Sequence, residues 1–228
     1  MQAMKSPAGE RKIKMFVNER MTPNPLTVTR DTGIDVAMNT MKRNHIRHIP
    51  VAEKGHLYGF IDESDLQKAS PSTASLLSRN ELITLLAKIK VRDIMPRTLI
   101  SINQNATIEE AALLFKQSKR SGLPVVDDAG IVVGVITETD VFESFIEIMG
   151  LEKGTTRLTA VIDNRPGTIA EICGVFAENG INIENLVTVP QQDEKLQLII
   201  RGDFPAESIT GKLEEKGIQV THSVRIGD

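Results

Sequence analysis

This chain of 228 residues is poor in the residue types that mark several common protein classes. Its one cysteine, Cys173, excludes an internal disulfide and favours a reducing compartment such as the cytoplasm. Aromatic residues make up only 4% of the chain, with no Trp and one Tyr, so platforms that stack nucleic-acid bases are not expected. No apolar run approaches the roughly 18–20 residues that a membrane-spanning helix needs.

A strong charge of either sign is also missing. The formal net charge of −3 provides no broad attraction to nucleic acid or to an anionic membrane, so neither is expected as a partner. With 40% hydrophobic and 25% charged residues, the composition is that of a globular protein with room for two or three small domains. Residues 1–14 are polar and basic without the apolar stretch of a signal peptide, and a disordered extension is expected there.

The motifs of common enzyme classes are missing as well. The sequence has no Walker loop, no Gly-x-Gly-x-x-Gly, no Cys/His cluster and no nucleophile elbow. Cys173 lies in an apolar helical run, which favours packing over a nucleophilic role. His45 and His48 have no Cys or acidic partner at the spacing of metal ligands, so no metal is expected. These absences predict a non-catalytic protein.

The dominant feature that is present is an internal repeat. The stretch Gly134–Asp140 has a near-copy at Gly59–Asp65, and each follows an apolar run that ends in Pro-Val. A shift of 74 residues aligns Met21 with Met95, and one extra residue in the second hairpin makes the shift 75 at the two motifs. Two units are too few for a solenoid, so we expect a pseudo-symmetric pair in which each repeat buries a face that the other exposes.

Each repeat predicts the same order of a helix, a two-stranded hairpin and a second helix. Helices are expected over 35–44 and 63–69 in the first repeat and over 108–118 and 138–149 in the second, with hairpin turns at 53–56 and 127–130. Thr107 and Glu110 predict a capping box. An amphipathic helix over 76–89 is expected to bridge the repeats.

Each motif predicts a corner suited to a ligand with both a diol and a phosphate. A strand that turns into a helix places the Thr137 hydroxyl and the Asp140 carboxylate beside free backbone N–H groups. The carboxylate accepts paired hydroxyl hydrogen bonds, each worth roughly 1.5–3 kcal/mol, and Gly134 removes a Cβ that would block close approach. The first motif has Asp62 where the second has a hydroxyl, and a carboxylate there repels phosphate by about 1 kcal/mol or more.

Basic residues stand at the helix-to-strand turn of each repeat. His45, Arg47 and His48 precede the first hairpin, and Lys119 and Arg120 take similar places in the second repeat. Arginine or histidine beside a phosphate forms charge-assisted hydrogen bonds. These residues are candidate phosphate contacts, and the alternative is a solvated basic loop.

Paired units of this form resemble CBS domains in the tandem arrangement called a Bateman module. The resemblance implies an α+β fold that binds an adenine nucleotide (AMP, ADP or ATP) between the repeats. In this family the motif Asp takes the ribose hydroxyls, the Ser/Thr lies near ribose and phosphate, and the hydrophobic-Pro-Val strand frames the adenine. The implied contacts are Gly134, Thr137, Asp140, Ser101, Pro124, Val125, Lys119, Arg120, Asp65, Thr27, Arg47, His48 and Pro50. Because of Asp62, the Asp65 site is either empty or takes an adenosine-like ligand whose phosphate points elsewhere.

After residue 156 the pattern changes to βαββαβ, the order of a ferredoxin-like fold. Expected strands are 157–162, one that opens at 181–183, 196–200 and 218–224; expected helices are 168–179, with a Thr168/Glu171 capping box, and 208–216. Gly180 and Gly217 are expected to end the helices.

The run 163–167, Asp-Asn-Arg-Pro-Gly, with Gly-Ile-Asn-Ile at 180–183, resembles an ACT domain. ACT domains pair side by side and bind amino acids where the first turn meets a neighbour's strand, which implies contacts from Asn164, Gly167 and Asn182. Their amides can hold both the ammonium and the carboxylate groups. Ile162 stands where amino-acid-regulated relatives carry a polar residue, so a purely dimerising role is the alternative.

The order CBS–CBS–ACT resembles the AcuB family of acetoin-utilisation proteins. The expected boundaries are 1–14 extension, 15–70 first CBS domain, 71–90 linker helix, 91–150 second CBS domain, 151–156 linker and 157–228 ACT domain. The resemblance implies a cytoplasmic regulatory sensor that forms a homodimer or higher homo-oligomer through its CBS and ACT domains and signals to a metabolic enzyme. The alternative is a structural oligomerisation module with no small-molecule ligand.

Overall fold

The computed structural model describes residues 15–69, 86–151 and 155–226, which form two compact units divided between Ser144 and Phe145. The first unit holds the two repeats and the second holds the βαββαβ segment. The expected extension over 1–14 and most of the linker helix over 71–90 lie outside the described residues. Within the described ranges, no helix combines the length and the apolar character needed to cross a bilayer.

Both repeats have the predicted order of elements. The first contains the helices Val17–Arg20, Ile34–Asn44 and Glu63–Ala69, with strands β1 (Thr22–Pro23), β2 (His48–Glu53) and β3 (His56–Asp62). The second contains the helices Val91–Ile94, Ile108–Ser118 and Glu138–Ile148, with strands β4 (Ile102–Asn103), β5 (Gly122–Val126) and β6 (Val132–Thr137). The predicted helices and hairpins are confirmed to within a residue at most ends.

The segment that leads into each repeat packs against the other repeat. Val17 belongs to the core of the second repeat, where its backbone N–H donates to the Ala106 carbonyl at 2.9 Å. Val91 belongs to the core of the first repeat and donates to the Thr32 carbonyl, also at 2.9 Å. β1 of the first repeat extends the sheet of the second, in the order β1-β6-β5-β4. The two repeats are therefore interlocked, and each completes the core of its neighbour.

Local sequence signals explain the helix ends beside the clefts. Thr107 and Glu110 form the predicted capping box, with the Thr107 N–H 2.7 Å from the Glu110 carboxylate and the Glu110 N–H 3.2 Å from Thr107 Oγ1. Helix Ile108–Ser118 ends at Lys119 with φ 54°, and helix Ile34–Asn44 ends at His45 with φ 52°. The two left-handed residues occupy equivalent places in the repeats.

The second unit has the predicted ferredoxin-like fold. Its elements are β7 (Thr155–Asp163), helix Thr168–Glu178, β8 (Asn185–Pro190), β9 (Lys195–Gly202), helix Ala206–Glu215 and β10 (Gln219–Ile226). The antiparallel sheet has the order β10-β7-β9-β8. Both helices pack on one face of it, around Leu158, Phe176 and Ile200.

Two local predictions for this unit are wrong. Glu171 does not form a capping box with Thr168, because its carboxylate pairs with the Arg165 guanidinium at 2.9 and 3.1 Å and Gly167 is the N-cap residue. The second strand begins at Asn185 rather than near 181, because the Ile181 N–H turns back to the Phe176 carbonyl at 3.0 Å and closes the preceding helix. Gly180 and Gly217 have positive φ at the helix ends, as predicted.

Candidate functional site

The two repeats form two related clefts of very different size. The second cleft, beside the Thr137–Asp140 corner, has a volume of about 350 Å³ and is lined by Thr22, Asn24, Pro25, Leu26, His45, Ile46, Arg47, His48, Val135 and Thr137. The first cleft, beside the Asp62–Asp65 corner, has a volume of about 20 Å³ and is lined by Phe60, Pro96, Thr98, Leu99, Ile100, Arg120, Gly122 and Leu123. The repeat shift superimposes most of one lining on the other.

Backbone pairing builds one wall of the second cleft. Thr22 lies opposite Val135 in the β1–β6 ladder, and the Asn24 N–H donates to the Val133 carbonyl at 3.0 Å. This pairing holds the segment 22–26 along β6. The opposite wall is the turn after helix Ile34–Asn44, where His45 and Arg47 are exposed at the cleft. A basic turn therefore faces a strand that ends in the Thr137 hydroxyl.

The second motif caps its own helix. Asp140 Oδ2 accepts hydrogen bonds from the Thr137 N–H and Thr137 Oγ1, both at 2.7 Å. The Asp140 N–H in turn lies 3.4 Å from Thr137 Oγ1. Reciprocal capping of this kind satisfies helix N–H groups that otherwise have no partner. Both carboxylate bonds end on Oδ2, so Oδ1 is the atom that remains for a ligand hydroxyl.

The first motif caps its helix in the same way but also holds an arginine. Asp62 Oδ1 accepts the Asp65 N–H at 2.9 Å, and Asp65 Oδ2 accepts the Asp62 N–H at 3.1 Å. Arg120 of the other repeat reaches across, and its Nη1 lies 2.8 Å from Asp62 Oδ2 and 3.1 Å from Asp65 Oδ2. The guanidinium thus fills the first cleft, where the equivalent residue of the second cleft is Ile46.

The electrostatics of the first cleft support this ion pair. Burial raises the pKa of Asp62, but the hydrogen bonds from Ser64 and the Asp65 N–H, together with Arg120, outweigh it and lower the pKa overall. The three charged side chains are only 10–25% exposed, so solvent screens them weakly. Asp62 is therefore ionised at neutral pH and keeps Arg120 in place.

His48 contributes a neutral ring that joins the repeats. It is 9% exposed, stacks on Phe60 with ring centroids 5.7 Å apart, and its Nε2 lies 3.0 Å from Ser121 Oγ. Burial lowers the pKa of His48; Asp62 opposes this, while Arg47 and Arg120 reinforce it. At neutral pH this ring is a hydrogen-bonding and packing group, so Arg47 supplies the fixed positive charge of the turn.

The motif glycines have a structural reason. A Cβ on Gly134 would overlap Met21 Sδ and lie 3.1 Å from the Thr22 carbonyl oxygen. A Cβ on Gly59 would lie 2.6 Å from Met95 Sδ. These glycines admit the segment that leads into each repeat, a packing role that the sequence alone did not indicate.

The remaining predicted nucleotide contacts fall into two groups. Thr27, Ser101 and Lys119 are exposed, whereas Pro50, Pro124 and Val125 are buried in β2 and β5. Sequence reasoning missed the segment 22–26, Ile46 and Val135, all of which line the second cleft. The repeat alignment contained a signal for the first of these, because it paired Met21 with Met95 at the start of each lining segment.

The predicted contacts of the ACT domain lie in its first turn and just after its first helix. Asn164, Gly167 and Asn182 are all exposed, and Gly167 has a φ of 92°. The turn is braced by the Asn164 N–H, which donates to the Glu194 carbonyl at 2.8 Å, and by an ion pair between Lys195 and Asp163 at 2.5 Å. A neighbouring cavity of about 210 Å³ is lined by Val161, Ile162, Asp163, Arg165, Thr168, Glu171, Lys195, Lys216, Gly217, Ile218 and Gln219.

Comparisons with known proteins agree with this architecture. The CBS-domain model matches residues 17–72 and 91–147, and the ACT-domain model matches residues 156–220. A CBS domain-containing protein of Dictyostelium discoideum is 30% identical over 138 residues, which span 60% of this chain and 95% of that protein.

Solved structures of two other proteins cover a similar part of the chain. CBSX2 of Arabidopsis thaliana, solved in complex with AMP, is 27% identical with a TM-score of 0.49, over 59% of this chain and 98% of that one. A candidate acetoin utilization protein (AcuB) of Vibrio cholerae is 26% identical with a TM-score of 0.48, over 60% of this chain and 93% of that one.

Proposed function

Because this chain belongs to the CBS-domain family, as a tandem CBS pair followed by an ACT domain, we propose that it is a non-catalytic regulatory sensor for an adenine nucleotide. The observation that supports this most is the cleft of about 350 Å³ between a basic turn and the Thr137–Asp140 corner. AMP, ADP or ATP is the ligand, and the protein acts in the cytoplasm as a homo-oligomer. Its output passes to a metabolic enzyme, and the domain order favours acetoin utilisation as the setting.

The second cleft supplies each group that such a ligand requires. Asp140 Oδ1 accepts the ribose hydroxyls, and Arg47 and His45 face the phosphate from the opposite wall. The segment 22–26 and Val135 offer a partly apolar wall for the adenine. Small-molecule sites have volumes of about 300–1,000 Å³, whereas about 20 Å³ holds one water. We therefore propose one nucleotide per chain.

The ACT domain takes a second role in the proposal. Asn164, Gly167 and Asn182 are exposed on one chain, so an amino acid held by them needs a neighbouring ACT domain to enclose it. Side-by-side pairing of ACT domains completes such a site and also supplies the oligomer contact. In this proposal the amino acid is a second input beside the nucleotide.

The nucleotide acts by a shift in population. A ligand that touches both repeats favours one relative arrangement of them, and it shifts the balance only by its difference in affinity for the two states. Helix Glu138–Ile148 begins at the nucleotide corner and continues into the second unit. We propose that this continuous helix transmits the change.

Calorimetric titration tests the nucleotide proposal. Nucleotide-stripped full-length protein is titrated with AMP, ADP, ATP, NAD and S-adenosylmethionine, beside Asp140→Ala and the matched control Asp65→Ala at the equivalent place in the first cleft. We expect micromolar binding, about −8 kcal/mol, that is lost in Asp140→Ala and kept in Asp65→Ala. A thermal melt of each variant checks folding, because both substitutions remove a helix cap.

Two outcomes would overturn the proposal. No binding across the panel, in protein shown to be folded and ligand-free, would favour the structural oligomerisation module. Equal loss in the two variants would show that binding does not depend on the second cleft.

A further inference from the structure

Unsatisfied polar groups gather at one end of the ACT sheet, on the face away from its helices. Among the described residues, Thr155 Oγ1, Asn185 Oδ1 and two guanidinium nitrogens of Arg201, Nε and Nη1, are buried without a hydrogen-bond partner. Buried polar atoms of this kind are rare, and each needs a physical explanation. Four such atoms in one domain point to a partner of defined chemistry.

The strand register places these side chains together. Arg201 on β9 lies directly opposite Arg157 on β7 and directly opposite Asn185 on β8. Thr155 stands two residues before Arg157, and alternate residues of a strand share a face. The other face holds Leu158 and the rest of the helix-covered core. The row of Thr155, Arg157, Arg201 and Asn185, here called the arginine row, therefore crosses three neighbouring strands on the helix-free face.

No acidic side chain among the described residues neutralises Arg201. Its side chain belongs to a residue that is 6% exposed, and burial, with a smaller contribution from Arg157, lowers its pKa. Asp163 at the far end of β7 is about 20 Å away along the strand and pairs with Lys195. Asp203, just after β9, pairs with Arg225 at 3.2 Å. A buried cation without a counter-charge is strongly destabilising, so this site requires an anion.

Asn185 adds a second chemical requirement. Its Nδ2 donates to the Ile148 carbonyl at 3.0 Å, and because a carbonyl oxygen only accepts, Oδ1 is left as the free acceptor. The row thus offers guanidinium donors and a hydroxyl for an anion, and a fixed acceptor for a donor group beside it. A carboxylate and an ammonium on one carbon satisfy both requirements.

We propose that the arginine row is a binding site for an α-amino acid, with its carboxylate on Arg201 and its ammonium on Asn185 Oδ1. The site is distinct from the turn that holds Asn164 and Gly167, because that turn begins at the opposite end of β7. It does not depend on nucleotide binding in the second cleft.

Titration of the full-length chain with the twenty standard amino acids tests the site, with acetate and methylammonium as probes that carry one charged group each. We expect at least one amino acid to bind more tightly than either probe. Arg201→Met should weaken that binding by about 10- to 100-fold, because hydrogen bonds to a charged group are lost. Arg165→Met, an exposed arginine of the same domain, is the matched control and should leave the affinity unchanged.

The double variant Asn164→Ala/Asn182→Ala separates the two candidate sites. Binding that survives Arg201→Met and disappears in this double variant would assign the amino acid to the turn and overturn the proposal. Absence of binding to all twenty amino acids would also overturn it.

A ligand-free measurement gives an independent test. Asn185→Asp places a carboxylate directly opposite Arg201, so it should raise the melting temperature by about 2–4 °C or more and abolish amino-acid binding. Arg201→Met removes the unpaired cation and should also raise the melting temperature. A fall in both variants would show that Arg201 already has a stabilising partner, and the proposal would fail.

Discussion

The two clefts of the CBS pair share one backbone plan but differ seventeen-fold in volume, about 350 Å³ against about 20 Å³. The repeat alignment places Thr137 against Asp62 and Ile46 against Arg120. In the first cleft these two positions carry opposite charges that meet across the repeats at 2.8 Å. In the second cleft they carry a hydroxyl and an apolar side chain, and the space stays open. Pseudo-symmetry of the fold therefore does not imply two equal sites.

The corners themselves behave alike in both clefts. Asp140 and Asp65 each accept the backbone N–H three residues earlier, so each motif carboxylate stabilises its own helix. Presence of the motif in a sequence is thus explained by capping even where no ligand binds. The residue three positions before each of them, and the residue that faces it from the other repeat, decide whether the corner is accessible.

The largest expected effect comes from giving the second cleft the residues of the first. In Ile46→Arg/Thr137→Asp, a guanidinium–carboxylate pair fills the cleft and the added carboxylate repels phosphate. We expect nucleotide affinity to fall by at least about 100-fold, or about 2.7 kcal/mol. Calorimetric titration with the nucleotide that binds the unmodified protein measures the loss.

Thr137→Ser is the control for this pair of substitutions, since it retains the hydroxyl that caps Asp140. It should bind within a few-fold of the unmodified protein. If the double variant binds normally while its fold is intact, the nucleotide does not enter the second cleft.

The reciprocal change should open the first cleft. Asp62→Thr/Arg120→Ile removes the ion pair and restores the residues found in the second cleft, so the number of nucleotides bound per chain should rise from one to two. The new site should be the weaker one, because Ser121 stands where the second cleft has Arg47. A stoichiometry that remains at one would show that this missing cation, rather than the closed volume, excludes the nucleotide.

Much of this contrast could be predicted from the sequence. The repeat, the helix order and the departure at Asp62 were visible because they depend on local spacing. The pairing of Asp62 with Arg120 was not, because it joins residues 58 positions apart and depends on how the repeats face one another. The sequence interpretation had placed Arg120 beside a phosphate, and the structure shows it bound to carboxylates.

The ACT domain shows the same limit on a smaller scale. Its βαββαβ order followed from periodicity and glycine positions. The Thr168/Glu171 capping box failed because Arg165, six residues before Glu171, competes for the carboxylate with two hydrogen bonds. The arginine row was invisible for a related reason, since Arg157 and Arg201 meet only through the β7–β9 register.

An intermediate effect is expected when the ion pair of the first cleft is broken without repair. Arg120→Met leaves Asp62 and Asp65 close together, only 15% and 10% exposed, without a counter-charge. We expect the free energy of unfolding to fall by about 2 kcal/mol, somewhat below the loss for a fully buried pair. Urea denaturation measures it.

Ile46→Met, at the equivalent position, is the matched control and should cost less than about 1.5 kcal/mol. Adding Asp62→Asn to Arg120→Met should recover part of the loss, because one of the two unpaired carboxylates disappears. Strict additivity of the two substitutions would show that Asp62 and Arg120 are not coupled.

The smallest expected effect concerns His48, which joins the clefts through Phe60 on one side and Ser121 on the other. Burial lowers its pKa, so the unfolded chain takes up a proton before the folded chain does. The free energy of unfolding should therefore decrease as the pH falls below about 6.5, with a slope of at most about 1.4 kcal/mol per pH unit from this one group. The lowered pKa of Asp62 acts separately, and its contribution to stability disappears only below about pH 4.

His48→Gln isolates the histidine contribution, because glutamine cannot titrate and can still bond Ser121 Oγ. Urea denaturation between pH 7 and pH 5 should show a flatter stability profile for this variant than for the unmodified protein. His45→Gln, an exposed histidine at the start of the same turn, should leave the slope unchanged. If the slope persists in His48→Gln, the protons enter elsewhere, and the contact between the two clefts does not depend on a neutral ring.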